Sequence, residues 1–90
     1  MTQPDIIDRV NKILIDEFEL EQGDLTPEAT LYDQLGLDSL DIVDLAVALE
    51  KEFGLKVKRT EDEERIRAIR ALSDVYAFVE FKLEESHPRE

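Results

Sequence analysis

Leu35-Gly36-Leu37-Asp38-Ser39-Leu40-Asp41 places a breaker, a cap and a helix start next to one another. Gly36 interrupts whatever precedes it, since glycine is a strong local punctuator. Asp38 is a residue type that caps helix N-termini, and Asp41 falls in the first turn, where the positive end of the helix dipole favours an acid. The helix is therefore expected to begin at Ser39. From there Ile42, Leu45, Ala46, Leu49 and Phe53 follow one face at helical spacing, and Leu40, Val43 and Val47 fall on another. Gly54 is the expected stop.

Upstream, residues 19–37 read as a long connection with Gly23, Asp24, Thr26, Pro27, Asp33 and Gly36 as turn residues. Leu20, Leu25, Leu31, Tyr32, Leu35 and Leu37 are spaced to pin it onto a core. Because long structureless loops are uncommon in small domains, Thr26-Pro27-Glu28 is expected to start one helical turn. Before it, Ile6, Ile7, Val10, Ile13, Leu14 and Phe18 predict an amphipathic helix of about 14 residues. Downstream of Gly54, Thr60 and Glu63 have capping-box spacing. Ile66, Ile69 and Leu72 follow at steps of three and predict a short third helix, although Arg65-Ile66-Arg67-Ala68 also alternates like a strand. Ser73 reads as the cap of a last helix that turns Val75, Tyr76, Val79 and Leu83 inward. The expected fold is all-α: a small four-helix bundle with a long loop between helices one and two. Residues 1–84 form its one domain, and 85–90 form a C-terminal tail.

Ninety residues make one domain the default and leave room for one thin core. There is no cysteine, which excludes disulfides, thiolate metal sites and a cysteine nucleophile. Any thiol chemistry must arrive on a cofactor. The start, Met1-Thr2-Gln3-Pro4-Asp5, lacks a basic secretory segment, and the longest apolar run, Leu45 to Leu49, is far too short to span a bilayer. A cytoplasmic location is expected. The net charge of −12 disfavours nucleic acid and favours basic protein surfaces as partners. That charge is uneven: residues 1–50 hold 13 acids and two bases, and residues 51–90 hold 10 acids and nine bases. The outward strip Leu40, Val43 and Val47, ringed by Asp41, Asp44 and Glu50, has the apolar centre and charged rim of a transient docking surface.

Gly36-Leu37-Asp38-Ser39-Leu40-Asp41 and the acidic amphipathic helix after it resemble the prosthetic-group site of acyl carrier proteins. The resemblance extends to the first helix, the pinned loop and Ala48-Leu49-Glu50-Lys51-Glu52-Phe53. It implies a four-helix bundle of that type and a non-catalytic carrier of acyl groups held as thioesters. A phosphopantetheinyl transferase would move phosphopantetheine from coenzyme A onto the Ser39 hydroxyl, with Asp38 and Leu40 flanking it. Helix two would meet acyl-transferring and acyl-modifying enzymes, and Ile42, Ala46, Val57, Ile66 and Ile69 would line a space for the acyl chain. A monomer is expected.

Lys51 and Lys58-Arg59 depart from that family's acidic habit, and seven of the eleven bases lie between residues 51 and 70. The stretch from Phe53 to Leu72 is also longer than usual. Both departures suggest a specialised lipid or polyketide carrier rather than the housekeeping fatty-acid one. Two alternatives remain: a peptidyl or aminoacyl carrier, and an acidic helical adaptor without a prosthetic group. Ser39 as a hydrolase nucleophile is disfavoured, because no glycine-x-serine-x-glycine elbow is present and the single histidine, His87, lies in the tail. Asp38, Asp41 and Asp44 step along a helix without the glycine-containing loop of an EF-hand, so no dedicated metal site is expected.

Overall fold

Four helices and one 3-10 turn make up the chain in a computed structural model that describes residues 3–86. Helix α1 runs Gln3–Phe18 and buries Ile6, Val10, Ile13 and Leu14, the stripe expected from their spacing. It ends where Glu19 takes a left-handed φ of 55°, which lets the Leu20 N–H donate back to the Leu14 carbonyl at 3.2 Å. A non-glycine residue in that region carries local strain.

The connection to α2 is ordered by backbone bonds rather than by a helical turn at Thr26. The 3-10 turn lies earlier, at Gln22–Asp24, and Thr26–Ala29 closes a single turn through the Ala29 N–H and the Thr26 carbonyl at 3.0 Å. Pro27 sits inside that turn, where its fixed φ suits it. Leu25, Leu31, Leu35 and Leu37 are buried, and Leu20 packs at the core's edge. Tyr32, expected to pin the loop, is instead exposed, because residues 31–34 turn it outward. The loop is fastened to the junction before α4. The Leu31 N–H donates to the Arg70 carbonyl at 2.8 Å, the Leu72 N–H to Ala29 at 3.0 Å and the Ser73 N–H to Pro27 at 2.9 Å. Thr30 and Ala71 form the isolated bridge in this tie.

Helix α2, Ser39–Phe53, buries Ile42, Leu45, Ala48, Leu49 and Phe53 and ends at Gly54 with φ 67°. The Gly54 and Leu55 N–H groups both return to the Glu50 carbonyl. Only glycine adopts that left-handed stop at little cost.

Helix α3, Arg59–Ala68, starts one residue before the expected Thr60 cap, and Lys58 flanks it without a side-chain cap bond. The Thr60–Glu63 capping box does not form. Asp62 takes that role: its carboxylate accepts the Lys58 N–H at 2.8 Å, and its own N–H donates to the Lys58 carbonyl at 2.7 Å. The strand-like reading of residues 65–68 gives way to helix. Helix α4 spans Leu72–Ser86 and likewise starts before its expected cap, Ser73. The Asp74 carboxylate accepts the Arg70 and Ala71 N–H groups at 3.0 and 3.1 Å and so anchors its first turn. Val75, Tyr76, Phe78 and Val79 are buried, while Leu83 is only partly so. The helix continues through residues 85 and 86, so the expected tail from residue 85 begins inside it. His87 and the remainder of that tail lie outside the described residues.

Helix α1 is the hub, packed on both α4 and α2. Its one buried polar residue, Asn11, accepts the Tyr76 hydroxyl at 2.6 Å across the α1–α4 seam. Burial, only partly opposed by that bond, pushes the Tyr76 hydroxyl above its ordinary pKa.

A second buried polar contact joins α3 to α4. Lys82 and Asp62 are 1% and 3% exposed, and the ammonium reaches the carboxylate at 2.9 Å. Glu85, half exposed, takes a second bond from Lys82 at 2.6 Å. Burial pushes the Asp62 carboxyl up. The bonds from Lys82 and from the Lys58 N–H, together with the charges of Lys82 and Arg65, more than offset this and hold it below the usual carboxylate value. Burial acts against the Lys82 ammonium too, and its two carboxylate partners raise it above the ordinary lysine value.

Candidate functional site

Ser39 is the first residue of α2 and is exposed. Two features of the sequence place it there. Gly36, at φ 70°, adopts the left-handed conformation that turns the chain just before the helix. Asp38 then caps it in an extended conformation. The Asp41 N–H donates to Asp38 Oδ1 at 2.9 Å, and the Asp38 N–H donates to Asp41 Oδ2 at 3.1 Å. This reciprocal capping box is built from two aspartates, and it commits both carboxylates to the backbone.

The consequence for Ser39 is electrostatic. The first intrahelical bond runs from the Ile42 N–H to the Asp38 carbonyl at 3.0 Å. The N–H groups of Ser39 and Leu40 precede it and lie at the positive end of the helix dipole. An anionic group on the Ser39 hydroxyl would meet these donors, while one oxygen of each neighbouring carboxylate is occupied by a backbone donor. The exposed hydroxyl and the open helix end suit a site that is modified. Among the described residues, no group of three or more acidic or histidine side chains is arranged to hold a metal ion.

The strip expected to face outward does so. Leu40 is 73% exposed, and Val43 and Val47 are each 44% exposed. Asp44 is exposed beside them. The charged rim differs from expectation at two positions. Asp41 is half-buried within the capping box, and Glu50 is half-buried and accepts the Val57 N–H at 2.8 Å. Glu50 therefore fastens the segment after α2 more than it edges the strip.

Four of the five residues expected to line an acyl space come together. Ile42, Ala46, Ile66 and Ile69 surround a small apolar cavity with Leu31, Leu45, Leu49, Val75 and Phe78. Val57 is not among them, because its backbone is held toward Glu50 on the α2–α3 connection. The cavity measures about 20 Å³, room for about one water. Phe78 was the missed wall. Its place one turn beyond Val75 and Asp74 was the available signal.

Three of the bases in the basic stretch have partners close by. Lys58 pairs with Glu61 at 3.3 Å, Arg67 with Glu63 at 3.2 Å, and Arg65 lies over the Phe81 ring at 3.7 Å from its centroid. Exposed pairs of this kind contribute little stability, but they cancel charge locally.

With this geometry in view, the chain matches the phosphopantetheine attachment site family over residues 8–75. It is 35% identical over 80 residues to acyl carrier protein 2 of Ralstonia nicotianae, covering 89% of this chain and 94% of that one. It is also 35% identical over 82 residues to the acyl carrier protein of Thermotoga maritima, covering 91% and 96%. The crystal structure of an acyl carrier protein from Thermotoga maritima superposes with a TM-score of 0.76 at 30% identity, covering 93% of each chain.

Proposed function

The chain belongs to the acyl carrier protein family, and from that premise we propose that Ser39 is the residue to which its phosphopantetheine is attached. As a member it is a carrier and not an enzyme: it holds acyl groups for biosynthetic enzymes on a covalent 4′-phosphopantetheine. The prosthetic group supplies the terminal thiol on which acyl groups ride as thioesters.

One observation carries the assignment. Ser39 is exposed at the first turn of α2, inside the matched stretch, with an open helix N-terminus to receive its phosphate. Placing an anion at such an end is favourable by about 0.3–1 kcal/mol. Asp38 and Asp41 hold the turn in shape, and Leu40 stands exposed beside the hydroxyl. Incubation with coenzyme A and a broad-range phosphopantetheinyl transferase, followed by intact mass measurement, tests the assignment. The wild type is expected to gain one phosphopantetheinyl group and Ser39→Ala none. An equal gain on Ser39→Ala would overturn it.

The apolar cavity between α2, α3 and α4 supports the reading that Ile42, Ala46, Ile66 and Ile69 shelter the acyl chain. At about 20 Å³ it admits a chain only if its walls part. Ile66 at the end of α3 and Ile69 just after it are its least buried walls besides Ala46. The Leu40, Val43 and Val47 strip supports docking of the transferase and of biosynthetic enzymes through basic surfaces. No helix among the described residues is long and apolar enough to cross a membrane. A monomeric, cytoplasmic carrier fits this picture, and sedimentation velocity checks the oligomeric state. The sequence departures in residues 51–70 favour a specialised pathway, and identifying the acyl group bound to protein isolated from its source tests that.

A further inference from the structure

A second concavity lies away from the acyl side. It lies between α1 and α2, has a volume of about 420 Å³, and is lined by Ile13, Phe18, Val47 and Ala48 with Glu17, Asp44, Lys51 and Glu52 around them. Ile13 and Ala48 form a floor that is nearly buried, Phe18 is half-buried, and Val47 stands exposed at the edge. Val47 and Asp44 also belong to the outward strip of α2, so groove and strip are one continuous surface.

The rim has a definite sign. Three carboxylates face one ammonium, Lys51. Glu52 is already paired with Arg9 at 3.1 Å. Glu17 and Asp44 are exposed and have no ion-pair partner among the described residues. Asp41 and Glu50, the acids that the sequence placed around the strip, have carboxylate oxygens engaged by backbone N–H groups. The negative charge free to meet a partner is therefore displaced from the Glu50 side of α2 toward α1.

We propose that this groove is a docking slot for a basic amphipathic segment of a partner protein, with an apolar side chain seated over Ile13, Phe18 and Ala48 and flanking lysines or arginines meeting Glu17 and Asp44. The proposal rests on the reading that α2 is the face partners meet, and it adds α1 as the second wall of that face. An acidic segment would be repelled by the two unpaired carboxylates, and an uncharged apolar one would leave them without partners. A rim of this kind acts mainly on encounter rate and orientation, which suits a carrier that must leave each partner.

The test uses the full chain, isotope-labelled, titrated with a synthetic helical peptide of lysine and leucine at three-four spacing and followed by amide chemical shifts. Shifts are expected at Ile13, Glu17, Phe18, Val47 and Ala48. The double charge reversal Glu17→Lys/Asp44→Lys is expected to weaken binding at least roughly tenfold while leaving the melting temperature unchanged, since both positions are exposed. A peptide with glutamate in place of lysine is expected not to bind. Shifts confined to Leu40 and Val43, or an affinity unaffected by the reversal, would overturn the slot. So would concentration-dependent shifts of the same amides without peptide, because a second copy would then fill the groove. Modification of the unsubstituted protein by coenzyme A and transferase, read by mass, reports on the carrier assignment separately: failure of that protein to load defeats the assignment, and a protein that loads but does not bind the lysine peptide defeats the slot.

Discussion

Replacing Lys82 by methionine is expected to destabilise the protein by about 3 kcal/mol. The ammonium is almost wholly buried and makes its closest buried contact with Asp62 at 2.9 Å. Methionine keeps most of the stem's volume, so the loss isolates the charge. Removing one partner of a buried ion pair costs about 3–5 kcal/mol, because the other charge is left uncompensated. The lower end applies here, since Asp62 keeps the Lys58 N–H at 2.8 Å and half-exposed Glu85 can return to water. For a 90-residue domain, whose total stability is on the order of 5–13 kcal/mol, that is a large fraction. At about 4–8 °C per kcal/mol, the melting temperature should fall by about 12–24 °C. Urea unfolding followed by circular dichroism supplies the free energy. Arg67→Ala, which removes an exposed pair with Glu63, is the control and should cost no more than about 0.5 kcal/mol. The double variant Asp62→Leu/Lys82→Met should regain much of the loss, because a buried pair exchanged for apolar groups is often neutral. A loss below about 1 kcal/mol in Lys82→Met, or a double variant weaker than the single one, would refute the reasoning.

The same pair sets a pH dependence. Asp62 is held below its ordinary value of 3.8, so the native state binds fewer protons than the unfolded chain near that pH. Its contribution is present above the ordinary value and is lost as pH falls through the native one. The stability gap between wild type and Asp62→Asn, measured by urea midpoints, should therefore hold steady at about pH 5–8 and shrink in acid. Asp38→Ala removes the cap of α2 and should cost about 1 kcal/mol, while slowing transferase modification by more than that loss explains. Asp38→Asn, which can still cap, separates the two effects when both are measured on one sample. Gly54→Ala should cost about 1 kcal/mol through backbone strain alone, since nothing lies within 4 Å of the added carbon. Chemical unfolding checks it. Tyr76→Phe leaves the Asn11 carbonyl oxygen buried without its donor and should cost about 1–3 kcal/mol by the same assay.

Helix α2 was legible because its signals are local. Asp38, Gly54 and the apolar stripe all lie within the element they define, and the three exposed residues follow from the same periodicity. Starts of α3 and α4 were misplaced because a hydroxyl competes poorly with a nearby carboxylate for the N–H groups ahead of a helix. Asp62 displaced Thr60, and Asp74 displaced Ser73. No local signal marks Lys82 as buried, since its burial depends on a partner twenty positions earlier. The same holds for Asn11, whose partner Tyr76 is 65 residues away. At the candidate site, the exposed place of Ser39 at the start of α2 was legible from its cap, whereas the bond of Glu50 to the Val57 N–H was not, because it requires the chain to double back after Gly54.

The loop that leads into Ser39 is fastened to residues near the far end of the chain, through Leu31 to Arg70, Ala29 to Leu72 and Pro27 to Ser73. These contacts span about 40 positions, so closing them is a late and entropically costly step compared with forming the helices themselves. A chain growing from its N-terminus holds Ser39 and its cap long before it holds the anchor for the turn that precedes them. A nascent chain that stops short of α4 therefore offers the serine without its setting. The proposed attachment point is complete only once the last helix has begun, which would tie fitness for loading to completion of the chain.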